Sequence, residues 1–342
     1  MGRSKSRPTI TDIARALGVS AMTVSRALRG NSEVSDKTRE SVLRVAEEMG
    51  YRPHRWARSL VTSKTSIVGV VIPDISHSFF AEVTLGVEEV INRAGYNLLL
   101  CGSCLDPAKE QAEIEMLVSS LVDGLIVASE QPEDCPQLFV GLAENGIPFV
   151  LVDRFFPRWS FPAVLTDDLA VGRLATEHLI ELGHRRIAHI RGPRLSPSSL
   201  RFRGYQETLE AHRLPLDETL VPIGSFDIQS GREAMGELLR VDPRPTGVFA
   251  ANDPMAIGAL YACREAGLRV PADISIVGAG NIEGSQSPNP FVTTVDWPRR
   301  ELGRCAANLL LGMTEHRSES GGDLVRTFSP RLLKRQSSAA PP

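Results

Sequence analysis

VSAMTVSRAL, from Val19 to Leu28, is a run of helical length near the amino terminus. At helical spacing Val24, Ala27 and Leu28 turn inward, leaving Ala21, Met22, Thr23, Ser25 and Arg26 outside. That outward set suits one chemistry, recognition of a polyanion. A guanidinium can donate two parallel bonds to a guanine edge, hydroxyls can bind phosphate, and apolar groups can meet a thymine methyl. Charge supports it. Through Lys64 there are 13 Lys/Arg against 6 Asp/Glu, a balance of +7; the remainder holds 25 against 35, a balance of −10. A basic module on an acidic body points to nucleic acid at one end only.

Other reactive patterns are weaker. Cys101 and Cys104 form a lone CxxC with no second pair and no histidine cluster, so Cys101 is read as the end of a buried strand and no metal or cofactor is expected. No GxGxxG follows the first strand and no GxxxxGK[ST] occurs, which argues against a nucleotide-binding enzyme. Five sparse cysteines suit a reducing cytoplasm. The basic Met1–Pro8 segment lacks an apolar run after it, and no stretch reaches membrane-spanning length.

The elements that must position the outward residues are three helices. Thr9-Ile10-Thr11-Asp12 is a capping-box-like start, with Ile13, Ala14 and Leu17 at helical spacing and Gly18 as the break. Ser20 can cap the second helix, one short turn away, the spacing of a helix-turn-helix. A third helix is predicted from Asp36 to Met49, capped by Ser35 and stopped by Gly50. Beyond Ser66 the chain alternates strands (SIVGVVIPD, NLLLC, VDGLIVAS, GIPFVLVDR, RRIAHIRG, TLVPIG, GVFAAN, ISIVGAGN, VTTVDWP) with helical stretches. That is a parallel α/β pattern, dividing near Ala163 into two halves, with ligands expected at the carboxyl ends of strands.

Thr9–Pro53 followed by WARSL, with IVGVVIPDISHSFFAEV, ANDPMAIGAL, RVPADISIVG and VTTVDWP downstream, resembles the lactose/galactose-repressor (LacI/GalR) family of bacterial transcription regulators, from Thr9 to about Arg335. The resemblance implies an all-α helix-turn-helix headpiece (8–52), a hinge helix and linker (53–65), and a two-lobed α/β core with parallel sheets, like periplasmic binding proteins (66–335). Lobe N is expected to take 66–162 and 293–322, and lobe C 163–292 and 323–335. The RQSSAAPP end (335–342) cannot form a tetramerising heptad helix and 336–342 reads as a disordered tail, so a homodimer on a near-palindromic operator is expected.

By the same resemblance Ala21, Met22 and Arg26 read bases, while Thr11, Ser20, Thr23, Ser25 and Asn31 hold phosphates. Arg55, Trp56 and Arg58 form the minor-groove hinge. Trp56 stands where the family wedges a leucine, and an indole can also unstack a base step. Phe79, Phe80, Asp153, Asp167, Arg201, Phe226, Asn252 and Asn281 fall at effector positions. Ala279-Gly280-Asn281 lacks the acidic pair usual there, and with Arg201 retained this suggests a sugar acid rather than a neutral hexose. Asp153 can instead pair with Arg154, and Phe79 and Phe80 can be plain core. The implied function is a cytoplasmic, non-enzymatic repressor of a carbohydrate or sugar-acid operon, released by its effector. A corepressor-dependent regulator, a doubly wound enzyme and a periplasmic carrier are the alternatives.

Overall fold

The computed structural model describes residues 8–28, 33–51, 64–282, 291–314 and 324–342. They fall into two compact units that meet between Thr65 and Ser66. The first holds α1 (Ile10–Leu17), α2 (Ala21–Leu28) and α3 (Asp36–Glu48). Local chemistry sets each start. Thr9 and Asp12 cap α1 reciprocally, through Asp12 N to Thr9 Oγ1 at 3.3 Å and Thr9 N to Asp12 Oδ2 at 2.9 Å. Gly18, at φ +64°, ends α1 in the left-handed conformation that glycine adopts cheaply. Ser20 Oγ accepts from Thr23 N at 3.0 Å, so α2 starts at Ala21, two residues later than the apolar run begins. Ile13, Ala14, Val24, Ala27, Val42 and Ala46 make the buried centre.

The second unit carries two sheets. Strands β1 (Ile67–Ile72), β2 (Asn97–Gly102), β3 (Gly124–Val127), β4 (Phe149–Val152), β5 (Ala163–Thr166) and β10 (Val325–Phe328) form the first, in the order β10-β5-β4-β3-β1-β2, all parallel. Strands β6 (Ile187–Ile190), β7 (Gly247–Ala250), β8 (Ser275–Ala279), β9 (Thr293–Asp296) and β11 (Arg331–Leu333) form the second, in the order β11-β9-β8-β7-β6, with only β11 antiparallel. Most central strands are buried along their whole length, as parallel strands covered on both faces by helices must be. Those helices are α4 (Ser78–Arg93), α5 (Pro107–Ser119), α6 (Gln137–Glu144), α7 (Asp168–Glu181), α8 (Ser196–Ala211), α9 (Ile228–Leu238), α10 (Asp253–Glu265) and α11 (Arg299–Thr314).

Three helix pairs touch backbone to backbone through reciprocal glycines. A Cβ on Gly86 would collide with the Arg300 carbonyl and one on Gly303 with that of Val83, which sets α4 against α11. Gly172 and Gly204 do the same for α7 and α8, against the carbonyls of Arg201 and Leu169. Gly231 and Gly258 do it for α9 and α10, against those of Met255 and Ile228.

The lobe boundaries differ from the sequence expectation. Strand β5 (163–166) and β10 (325–328) lie in the first sheet, and β9 (293–296) in the second. The chain therefore crosses three times: after β5, after β9 and after β10. A strand's sheet is decided by its register partners, which its own four residues do not encode. TLVPIG is not a strand; it gives a 3₁₀ turn (Glu218–Leu220) and one bridge from Ile223 to Arg191. Residues 336–342 are ordered, not a loose tail. Ser337 Oγ accepts from Thr293 N at 2.8 Å and donates to Ile276 O at 2.6 Å, and Ser338 Oγ lies 2.9 Å from His178 Nε2. The short polar residues that read as disorder instead satisfy buried groups at the amino ends of β8 and β9. Among the described residues no helix is long and apolar enough to cross a membrane.

Candidate functional site

In the headpiece, α2 presents its polar face to solvent. Met22 is 60% exposed, Ala21 and Arg26 are exposed, and Thr23 and Ser25 are half-buried. Arg26 pairs with Glu33 at 2.9 Å. An exposed pair of this kind is worth only about 0–1 kcal/mol, so the guanidinium can be exchanged onto a base or phosphate at small cost. Thr11 and Ser20 are exposed at the starts of α1 and α2, where backbone N–H groups favour anions. Asn31, Arg55, Trp56 and Arg58 lie outside the described residues.

In the core, the carboxyl ends of β1, β4, β7, β8 and β9 converge on a cavity of about 480 Å³ with walls from both lobes. This is the size and position in which open α/β sheets hold small ligands. Phe79, Phe80, Asp153, Arg201, Phe226 and Asn252 line it, as the sequence indicated. Phe79 and Phe80 are also core, 4.9 Å apart edge to face at the start of α4. Asn252 caps α10, accepting from Met255 N at 3.0 Å, and donates its amide to Phe226 O at 2.8 Å. Its polar atoms therefore anchor the Phe226 loop.

Two expected residues stand elsewhere. Asp167 spends its carboxylate on the N-cap of α7, accepting from Ala170 N at 3.0 Å, and does not line the cavity. Asn281 faces the interlobe crossings: its amide donates to Asp296 Oδ1 at 3.1 Å and its carbonyl accepts from Arg335. Residue type at position 281 thus does not set the charge of the cavity; of the two positions that lack the acidic pair, only Gly280 lines it.

Arg201 is also committed. It is 4% exposed, gives Nε and Nη2 to Asp168 Oδ1 at 2.7 and 2.6 Å and Nη1 to Ala251 O at 2.8 Å. Its guanidinium plane lies 5.0 Å from the Trp297 ring. Burial pushes the Asp168 carboxyl up and Arg201 pulls it back. Arg154 donates to Ser129 O at 2.9 Å and to Glu130, with Asp153 3.7 Å away. Burial raises the Asp153 pKa, opposed by Arg154 and Arg201, and its backbone sits at φ +68°. His77 caps α4, and burial holds its pKa below the ordinary imidazole value.

Sequence reasoning missed Trp297 and Ser78. Trp297 follows β9 at a lobe crossing, is 4% exposed, and its Nε1 has no hydrogen-bond partner among the described residues. Ser78 Oγ is buried and likewise unpartnered among the described residues, and both residues are among those that line the cavity. A buried orphan donor costs about 1–3 kcal/mol unless a ligand satisfies it. The rule that sites follow strand ends would have found Trp297, inside the VDWP segment.

A helix-turn-helix headpiece joined to a two-lobed core with a cavity between its lobes defines a DNA-binding transcription regulator governed by a small molecule. Residues 9–54 match the bacterial regulatory proteins of the lacI family, and 176–338 match the periplasmic binding protein-like domain. The chain is 36% identical over 332 residues to the HTH-type transcriptional repressor PurR of Haemophilus influenzae (strain PittEE), covering 96% of this chain and 98% of that one. A solved complex of the transcriptional regulator CelR with cellobiose is 33% identical with a TM-score of 0.72, covering 97% and 100%. The Lac repressor dimer bound to operator and the anti-inducer ONPF is 26% identical with a TM-score of 0.85, covering 98% and 100%. The chain belongs to the LacI family and is a DNA-binding transcriptional repressor. Repressors of this family bind operator DNA and small-molecule effectors, usually as dimers.

Proposed function

We propose that this repressor controls a carbohydrate operon and that a neutral, hydroxyl-rich ring compound of the sugar class releases it from DNA. One observation carries the choice of ligand: the cavity's arginines are spent while its orphans are not. Arg201 and Arg154 are held by Asp168, Glu130 and backbone carbonyls, whereas Trp297 Nε1 and Ser78 Oγ have no partner among the described residues. Asp74, Asp153 and Asp227 add acceptors for hydroxyls and would repel an anion. Phe226 and Trp297 offer apolar faces for the carbon side of a ring. The relative solved with cellobiose agrees in ligand class.

On DNA, Arg26 reads a base with Ala21 and Met22 beside it, Thr11, Ser20, Thr23 and Ser25 position the helix on phosphates, and a homodimer spans two half-sites about one helical turn apart. Ligand binding favours a closed core with lower operator affinity, a population shift between two states.

The test is a calorimetric and operator-release screen of the full chain with neutral sugars, sugar acids and nucleobases. Neutral sugars are expected to bind and to release operator. Binding by gluconate-like acids or nucleobases, with none by neutral sugars, would overturn the ligand assignment. Tighter operator binding on ligand addition would reverse the sign.

A further inference from the structure

Glu110, near the start of α5, is fully buried, and its bonds come from neutral donors. Its Oε1 accepts from Ser129 Oγ at 2.8 Å and its Oε2 from the Glu130 N–H. Ser129 Oγ accepts in turn from Gln131 N at 3.0 Å, and Gln131 Nε2 donates to Pro107 O at 2.9 Å. The turn at 129–131, just after β3, is thereby stapled to the first turn of α5. The same turn holds Arg154, whose Nη1 donates to Ser129 O at 2.9 Å and to the Glu130 carboxylate. Arg154 stands in the wall of the cavity between the lobes and of a second cavity of about 460 Å³. One short turn of chain therefore separates a buried acid from the cavity wall.

We propose that Glu110 is a proton-operated control on the cavity wall: its charge state sets how tightly the 129–131 turn grips Arg154. The proposal takes the cavity between the lobes as the effector site and does not use the ligand class. Charge balance is the first argument. Glu110, Glu130 and Asp153 stand around one guanidinium, Arg154, with Asp153 Oδ2 3.7 Å from its Nε, while Arg201 is committed to Asp168. Three carboxylates against one cation leave a buried cluster with excess negative charge. Such a cluster keeps a proton, and the proton falls on the acid bound only by neutral donors. The charged groups acting on Glu110 are Glu130, which favours the proton, and Arg154, which opposes it. On its own helix Lys109 lies 3.0 Å from Cys104 Sγ, Glu113 bonds Cys101, and Asp106 caps the helix at Ala108 N. Burial outweighs the rest and raises the carboxyl to about 7, so both forms are populated at neutral pH. The two forms bond differently. The carboxylate accepts at both oxygens, and its charge strengthens both bonds. The acid turns one oxygen into a donor, so the Ser129 hydroxyl must reverse and the charge assistance is lost. The turn is therefore tight when Glu110 is ionised and looser when it is protonated. Arg154 follows, because Ser129 O and Glu130 both belong to that turn.

The experiment is hydrogen-exchange mass spectrometry of the full chain, with protection corrected for the intrinsic effect of pH on exchange. Between pH 6 and pH 8, protection over 127–132 and over 152–156 should rise by about three-fold or more, with its midpoint near 7. Glu110→Gln keeps the shape and neutral bonding of the acid, and should hold both segments at their low-pH level throughout. Glu110→Met, also neutral at every pH, should be equally insensitive, and melting temperatures check that each variant folds. Infrared difference spectra of the wild type over the same range should contain a protonated-carboxyl component that disappears in Glu110→Gln. A wild type whose protection does not change with pH overturns the proposal. So does a response confined to 127–132 that never reaches Arg154. Asp168, whose carboxyl burial also raises to about 7, is the competing source. A response that survives both substitutions at Glu110 belongs to Asp168 and overturns the proposal as well. None of these readouts uses a ligand, so their failure is distinct from failure of the sugar reading.

Discussion

Arg26 and Arg201 are the same residue put to opposite uses in the two regions of the chain. Arg26 stands on an exposed helix face, held by one surface carboxylate at 2.9 Å. Arg201 is 4% exposed and held by Asp168, the Ala251 carbonyl and the face of Trp297. The headpiece keeps its chemistry free for a partner and spends little on internal order. The core consumes its cations to build a wall and leaves neutral donors and carboxylates toward the ligand. Residue type alone therefore does not reveal a binding role; the identity of the existing partners does.

The widest break in this contrast is removal of residues 1–65. Operator affinity should fall by orders of magnitude, since the +7 segment supplies the counterion-releasing contacts, while effector affinity measured by calorimetry stays within about two-fold. A truncated core that still binds operator tightly would defeat the division of labour.

Next is Arg201→Leu. It leaves Asp168 buried without its cation, so chemical denaturation should show a loss of about 3–5 kcal/mol. A fully stable variant that has merely lost effector binding would mean that Arg201 acts on the ligand and not on the wall.

Titration sharpens the comparison through two acids of opposite sign. Glu110, fully buried on α5 and bonded by Ser129 Oγ at 2.8 Å and by the Glu130 N–H, has its pKa raised by burial to about 7. Its protonated form is favoured in the folded state. The stability it contributes is full below about pH 4.5 and is lost as pH rises through about 7, an effect of up to about 3 kcal/mol. Glu110→Gln should flatten the stability curve between pH 5 and pH 8; an unchanged slope would place the titration elsewhere. Asp12 in the headpiece runs the other way. Its hydrogen bonds from Thr9 lower its pKa, so its contribution holds above the ordinary carboxylate value and fades in acid.

The smallest effect belongs to Arg26→Ala. It should cost about 1–3 kcal/mol of operator affinity, confined to one base position per half-site, with folding stability unchanged within about 0.5 kcal/mol. A loss spread evenly over all operator variants would make Arg26 a phosphate contact.

The headpiece was legible because its signals are local. Thr9 with Asp12, Ser20 with Thr23 and Ser35 with Thr38 each fix a helix start within three residues. The core strands were legible as apolar runs. What the sequence hid is long-range: AVLT at 163–166 joins its sheet through β4 and β10, some 160 residues from the latter. Asp167 and Asn281 were of the right type beside the cavity, yet a helix cap and the interlobe crossings claim them. Trp297 and Ser78 were overlooked because an orphan polar atom is defined by missing neighbours, and only coordinates show those.

The reciprocal glycines at 86 and 303, 172 and 204, and 231 and 258 carry a mechanical consequence. Where two helix backbones lock at a shared point, neither can slide along the other without a carbonyl striking a neighbour. The chain passes between the two sheets at only three places among the described residues, at Asp167, at Trp297–Pro298 and at Ser329–Pro330. Trp297 lines the cavity at one of these passages, so a ligand in contact with it also touches a connection between the two sheets.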